Sequence, residues 1–255
     1  MAFAAWRART LDRGGAVAAF AVGALTFGSG GWPFTVVLLA FFVPSVLLSR
    51  FGRKRKKLLV DIGKGGARDA WQVLANGGAA TVCAVAAGLL LHAPDRFEET
   101  RPWIAAFAGA YAAATADTWG TEIGTLARGA PRSILTGRRI APGLSGGITV
   151  WGTLAEIAGA VWIGACTTAV LGRSAAFVPI VAGGIIGAFA DSLLGATVQE
   201  LRWCPVCERT CETDPHVCGT PTALVRGIRG FSNDAVNFAA TCAGAATAFA
   251  AAFRN

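Results

Sequence analysis

The feature that most constrains this chain is a recurring run of about 20 apolar residues, the length an α-helix needs to cross the hydrocarbon core of a bilayer. Such runs fall near 14–31, 32–50, 73–92, 102–118, 148–171, 176–198 and 234–253. Of the 255 residues, 54% are hydrophobic and only 15% charged, against about 25% charged in a soluble domain. Lipid is the solvent such a composition suits, and the 33 glycines favour close helix contacts within it. The first two runs are joined only by a short turn at Gly30–Pro33, and Pro44 is expected to kink the second. The fourth run is short for a full span, so six crossings stand as the alternative to seven. The expected fold is therefore all-α and integral to the membrane. It is a bundle of about seven transmembrane helices (six possible) in one membrane domain over 1–255, with a cysteine-containing loop at 199–233. Met1 to Trp6 lacks the charged, apolar, cleavage-site order of a signal peptide, so the first run is expected to stay as an anchor.

Charge sets the orientation. Arg7, Arg9 and Arg13 precede the first run and Arg50 to Lys57 follows the second. Arg128, Arg132, Arg138 and Arg139 follow the fourth, and Arg202, Arg209, Arg226 and Arg229 follow the sixth. The loop near 92–101 instead carries Asp95, Glu98 and Glu99. The positive-inside rule then places the N-terminus and the loops near 51–72, 118–147 and 199–233 in the cytoplasm, across a bacterial-type inner membrane. The basic residues flank apolar segments rather than forming one soluble face, which excludes a nucleic-acid partner.

Those three loops and the helix ends beside them hold the residues with chemistry. Asp117-Thr118-Trp119-Gly120-Thr121-Glu122 ends an apolar run, where carboxylates are costly unless paired, hydrated or bound to a cation. Mg²⁺ is the cation such oxygen ligands suit, and a polar helix end solvated at the interface is the plainer reading. Arg138 and Arg139, followed by Ser145, Gly146, Gly147 and Thr149 before the fifth run, suggest anion capture by guanidinium groups, backbone N–H groups and a helix N-terminus. Arg68, Gln72 and Asn76 lie four apart on one helical stripe below Lys64, facing either a polar pocket or another helix. The Arg53–Lys57 run reads as a topology and headgroup signal. Asp191 and Ser192 repeat the Ala-Asp-hydroxyl pattern of Ala116 to Thr118, with Gln199 and Glu200 beyond, and both runs exit to the same side, as a parallel repeat would. Asn233, Asp234 and Asn237 open the last run, and Glu156 lies within the fifth. Cys204, Cys207, Cys211 and Cys218, with His216 nearby, have spacings that in a reducing compartment favour zinc over disulfides, with free thiols or a redox pair as the other readings.

Together these motifs resemble the membrane family of phytyl-phosphate kinases, which also contains transmembrane protein 19. The resemblance rests on RFGRKRKK (50–57), GGARDAWQVLANGG (65–78), ADTWGTEIG (116–124), GRRIAPGLSGGIT (137–149), ADSLLGATVQE (190–200), CPVC (204–207) with HVCG (216–219), and FSNDAVN (231–237), which occur in the family's order. It implies a phosphotransferase that passes a phosphoryl group from a nucleoside triphosphate, CTP among the candidates, to an isoprenyl monophosphate lipid. That lipid would be phytyl, geranylgeranyl or farnesyl phosphate. In that reading Asp117, Glu122, Asp191 and Asp234 are the Mg²⁺ ligands, and Asp117, Glu122, Asp191 and Arg139 carry catalysis. Lys64, Arg68, Gln72, Asn76, Thr118, Thr121, Arg138, Ser145, Gly146, Gly147, Thr149, Asn233 and Asn237 bind substrate or phosphate. Two other classes fit the same motifs: a different CTP-dependent lipid kinase or head-group transferase, and a transporter of isoprenoid or phosphate compounds.

Overall fold

A computed structural model describes residues 2–52, 66–91, 96–127, 129–172 and 176–254. Lys64, Arg128 and the basic run Arg53–Lys57 lie outside the described residues. After a short helix α1 (Ala2–Arg7), the bundle is built from α2 (Arg13–Arg50), α3 (Ala70–Leu91), α4 (Phe97–Gly124), α5 (Val150–Leu171), α6 (Phe177–Thr197) and α7 (Asn233–Phe253). Among the described residues, five of these helices, α2, α3, α5, α6 and α7, are long and apolar enough to cross a membrane. The chain is a mostly helical integral membrane protein.

The 38 residues of α2 do not form one rod. A straight helix of that length would span about 57 Å, yet both of its ends meet Arg68. Asp12 N donates to Arg68 O at 3.1 Å, and Arg68 Nη2 donates to Ser49 Oγ at 3.4 Å. The reversal occurs at Gly31, whose φ of 61° and ψ of −146° are open to glycine and strained for other residues. Two antiparallel arms result, matching the runs near 14–31 and 32–50. Pro44 keeps helical dihedrals, so the reversal is made at Gly31 and not at the proline.

The centre of the bundle is α4, in which every residue from Ile104 to Ala116 is buried. A helix apolar all round belongs in the middle of a bundle. Phe34 and Phe41 of the second α2 arm stack on Phe107 and Tyr111, with ring centroids 4.5 and 5.4 Å apart. On its other flanks α4 meets helices with almost no side chain between the backbones. A Cβ at Gly187 would sit 2.3 Å from Ala113 Cβ and 2.9 Å from Ala240 O; one at Gly183 would sit 2.5 Å from Gly244 O. The helix extends beyond the expected 102–118 at both ends, because Asp117, Thr121 and Glu122 continue as helix into a polar cavity rather than stopping at the lipid boundary.

With α2 folded back, the chain ends of the helices alternate so that residues 51–52 and 66–69, 125–127 and 129–149, and 198–232 share one face. Two of these connections carry short strands that an all-helical reading does not include. A two-stranded pair joins β1 (Arg132–Ser133) to β2 (Gly147–Ile148), and β3 (Leu201–Cys204) lies between β4 (Arg209–Cys211) and β5 (Ala223–Arg226).

The close helix contacts generate a paired test. Gly187→Ala is expected to destabilise the protein by about 1–3 kcal/mol through overpacking. Gly23→Ala, whose added Cβ meets nothing within 4 Å, should be neutral or stabilising by up to about 1 kcal/mol. Unfolding in detergent micelles followed by circular dichroism separates the two.

Candidate functional site

Five helix ends converge on a cavity of about 620 Å³ at the loop-bearing face. Its wall takes Arg68, Gln72 and Asn76 from the start of α3, and Asp117, Thr118, Thr121 and Glu122 from the end of α4. Glu156 of α5, Asp191 and Ser192 of α6, and Asn233, Asp234 and Asn237 of α7 complete the helical part. Ser145, Gly146, Gly147 and Thr149 close one side, with Glu212 from the cysteine loop beside them.

Asp117 and Asp191 share a side-chain hydrogen bond. The two Ala-Asp-hydroxyl segments noted in the sequence therefore meet, carried there by the parallel packing of α4 on α6. Glu156 folds over Gly120, where a Cβ would lie 2.5 Å from its Cγ, so that glycine admits a third acid. Glu156 thus belongs to this cavity and marks no separate site deeper in the bundle. On the opposite wall Ser49 Oγ donates to Glu122 Oε1 at 2.7 Å, with the Arg68 guanidinium beside both. Among the described lining residues, six carboxyl groups (Asp117, Glu122, Glu156, Asp191, Glu212, Asp234) face one cationic side chain, Arg68. A cavity with that charge balance attracts cations. It would accept an anion only in company with them.

Several expected anion binders have structural duties. Thr149 caps α5, its Oγ1 accepting from Gly152 N at 3.0 Å. Gln72 and Asp69 form a reciprocal capping pair at the start of α3: Gln72 N donates to Asp69 Oδ1 at 2.9 Å and Asp69 N donates to Gln72 Oε1 at 3.2 Å. Ser145 N donates to Glu212 Oε1 at 2.9 Å and Gly147 N to Leu144 O at 3.3 Å, so two N–H groups of the expected anion cradle are already engaged. Arg138 and Arg139 are exposed and stand outside the cavity wall. The turn from Ser133 to Gly137 brings β1 back on itself before the chain reaches the cavity, carrying both guanidinium groups into solvent.

The cysteine loop corrects one expected ligand. Cys204, Cys207, His216 and Cys218 bring one donor atom each to within 4.8 Å of the others. Cys211 is excluded: its Sγ lies against Thr213 O at 3.6 Å, and the β3–β4 ladder sets it opposite Arg202, two residues along from Cys204. His216 takes its place because its Nδ1 approaches Cys218 Sγ at 3.1 Å. The Cys218 thiol is pushed down to about 6, chiefly by the Thr220 hydroxyl and then by the His216 ring, which favours the ligand-competent thiolate.

Sequence reasoning missed Glu212. It follows a cysteine in a polar loop, and no periodicity distinguishes it from the other loop acids. In the structure its Oε2 accepts from Gln199 Nε2 at 2.8 Å, while Gln199 Nε2 also donates to Ser145 Oγ at 2.9 Å. Burial pushes the Glu212 carboxyl up, and the Ser145 and Gln199 donors pull it back.

The model of the family described as integral membrane protein DUF92 matches residues 1–245. Protein PGR of Arabidopsis thaliana is 31% identical over 260 residues, covering 93% of this chain and 88% of the relative. An uncharacterized membrane protein of Methanocaldococcus jannaschii is 32% identical over 194 residues, covering 76% of each chain. No solved structure matches.

Two carboxyls in contact repel when both are ionised. Asp117→Asn is therefore expected to raise Tm when no divalent cation is added, by about 2–4 °C for each kcal/mol relieved in a chain of this size. The same substitution should remove any further rise on adding Mg²⁺, which the unsubstituted protein should show.

Proposed function

The chain belongs to the DUF92 family of integral membrane proteins, and from that premise we propose that it is a prenyl-phosphate kinase working at the cytoplasmic face. It would transfer the γ-phosphoryl group of a nucleoside triphosphate to an isoprenyl monophosphate and release the diphosphate. The observation that carries this reading is the Asp117–Asp191 pair inside a cavity where six carboxyls face one arginine. Such a cavity repels a free phosphate and welcomes one that arrives with divalent cations. Asp191 Oδ2 is buried with no hydrogen-bond partner among the described residues, which fits an oxygen ligand for Mg²⁺. Asp117 and Asp191, with Glu122 and Asp234 on the facing walls, are the residues that would hold it. Bound there, Mg²⁺ would neutralise the oxygens of the transferring phosphoryl group.

The protein's own part is positioning. Arg68 supplies a two-pronged contact to a phosphate and is held beside Glu122 and Ser49. Asn76, Asn233 and Asn237 offer amide donors along the same rim and Thr121 offers a hydroxyl, whereas the Thr118 hydroxyl already donates to Ala114 O at 2.7 Å. Phe41 gives the cavity an apolar wall on the side of the second α2 arm, consistent with a substrate whose tail lies among helices. An oxygen of the acceptor monophosphate attacks the γ-phosphorus, and the bond to the nucleoside diphosphate breaks as the new P–O–P bridge forms. The attacking oxygen is already an anion, so no general base is required. Arg138 and Arg139 are left out of this assignment because they are exposed and do not line the cavity.

The test is purified protein in detergent with γ-labelled CTP, ATP, GTP or UTP, Mg²⁺, and farnesyl, geranylgeranyl or phytyl monophosphate. Label in a prenyl diphosphate is the expected result. Transfer to a prenol instead would move the reading to a lipid-alcohol kinase, and no transfer from folded protein would favour a head-group enzyme or a carrier. Asp117→Asn should lower kcat by about 10²–10³-fold or more. Arg68→Ala should chiefly raise the KM of the acceptor, by about tenfold.

A further inference from the structure

The loop between α6 and α7 has a folding problem. Its larger apolar side chains face outward: Val206 is 70% exposed, Val217 62% and Val225 58%. What it buries instead is Cys204, Cys211, His216, Thr222 and Arg202, each at most 9% exposed. Arg202 is satisfied by Glu200, by Asp214 at 2.8 Å and by Thr222, which ties the sheet together at one end. At the other end the buried groups are the sulfurs and the imidazole. A segment this small without an apolar core needs a staple, either covalent or metallic. All seven cysteines are free thiols among the described residues, and His216 Nε2 is buried with no partner there.

We infer that Cys204, Cys207, His216 and Cys218 form a zinc knuckle whose metal is the core of this loop and thereby holds Glu212 against the Ser145–Gly147 turn of the cavity. Three thiolates and one imidazole suit a closed, tetrahedral, structural site. The Cys204 and Cys218 sulfurs stand 3.6 Å apart, close to the separation of about 3.8 Å that two thiolates take on one zinc at 2.3 Å each. The link to the cavity is short. The β3–β4 ladder pairs Cys204 with Arg209 and Arg202 with Cys211, so the knuckle fixes β4, and the next residue is Glu212. From there the carboxylate takes Ser145 N at 2.9 Å and Gln199 Nε2 at 2.8 Å, and Gln199 reaches Ser145 Oγ as well. Metal at the knuckle therefore positions a turn of the cavity wall without touching anything bound there. The inference stands whether or not the cavity is a kinase site.

The experiment uses the full chain in detergent. Elemental analysis should find about one zinc per chain, and Co²⁺ exchanged for it should give the visible spectrum of a tetrahedral site with three sulfurs and one nitrogen. Cys218→Ser and His216→Ala should lose the metal, while Cys211→Ser keeps it. Hydrogen exchange at the Ser145 amide should quicken by about tenfold on chelation, with α2 and α3 unchanged. In Glu212→Ala the amide should exchange fast from the start, zinc should stay bound, and chelation should add nothing at Ser145. A four-sulfur cobalt spectrum, or a protein that takes up neither metal, overturns the site. Ser145 exchange indifferent to chelation overturns the link to the cavity. The cobalt spectrum of the unsubstituted protein decides the ligand set even if the cysteine variants do not fold.

Discussion

Two carboxyl groups in contact at the end of two parallel helices are possible here only because the helices that carry them touch almost backbone to backbone. Gly187 on Ala113, Gly184 on Ala112 and Ala160, and Gly183 with Gly109 around Gly244 and Ala248 leave no room for a single added methyl. Larger residues at those positions would hold α4 and α6 apart by several ångströms, and Asp117 and Asp191 could not share a hydrogen bond. In a bilayer, where lipid tails compete equally for apolar surface, this close packing is itself the main source of helix association. The alanines and glycines that make the sequence look featureless are what the cavity is built on.

The polarity of the cavity follows from the same arrangement. Seven helical rods run through the bundle, counting the two arms of α2, and the polar residues sit where rods end rather than where they cross. Arg68 and Asp69 precede α3, Glu122 ends α4, Thr149 opens α5, and Asn233 and Asp234 open α7. Helix ends carry unpaired backbone groups that need polar partners in any case. Thr149, and Gln72 paired with Asp69, meet that need while themselves lining the cavity wall.

Much of this was legible in the sequence. Apolar run length marked the helices, and the cost of Asp117, Glu122 and Asp191 at the ends of such runs marked the cavity, because an acid in that position has to find a partner. Where reading failed, the deciding quantity was not in the local pattern. Arg138 and Arg139 belong to a motif that reaches the cavity at Ser145, but they follow directly on the Ser133–Gly137 turn and stay in solvent. Glu212 is drawn in by a β-ladder, and His216 replaces Cys211 because Cys211, opposite Arg202 on that ladder, turns its thiol to Thr213 O while a later turn brings His216 to Cys218. Spacing alone favoured the four cysteines, since it counts residues and carries no facing information. The hairpin of α2 was legible as well: Gly30–Pro33 signalled a turn between two runs whose outer ends both carry arginines, and the return of both arms to Arg68 through Gly31 agrees with it.

That reversal bears on more than packing. Were the backbone at Gly31 to continue as helix, the first 38-residue element would be about 57 Å long, nearly twice the thickness of the hydrocarbon layer. It could cross only once. Every later segment would then be delivered to the opposite compartment, and the acidic cavity, intact in its contacts, would open onto the wrong side of the membrane. The parity of the whole topology thus hangs on one residue that has no side chain and touches nothing in the cavity.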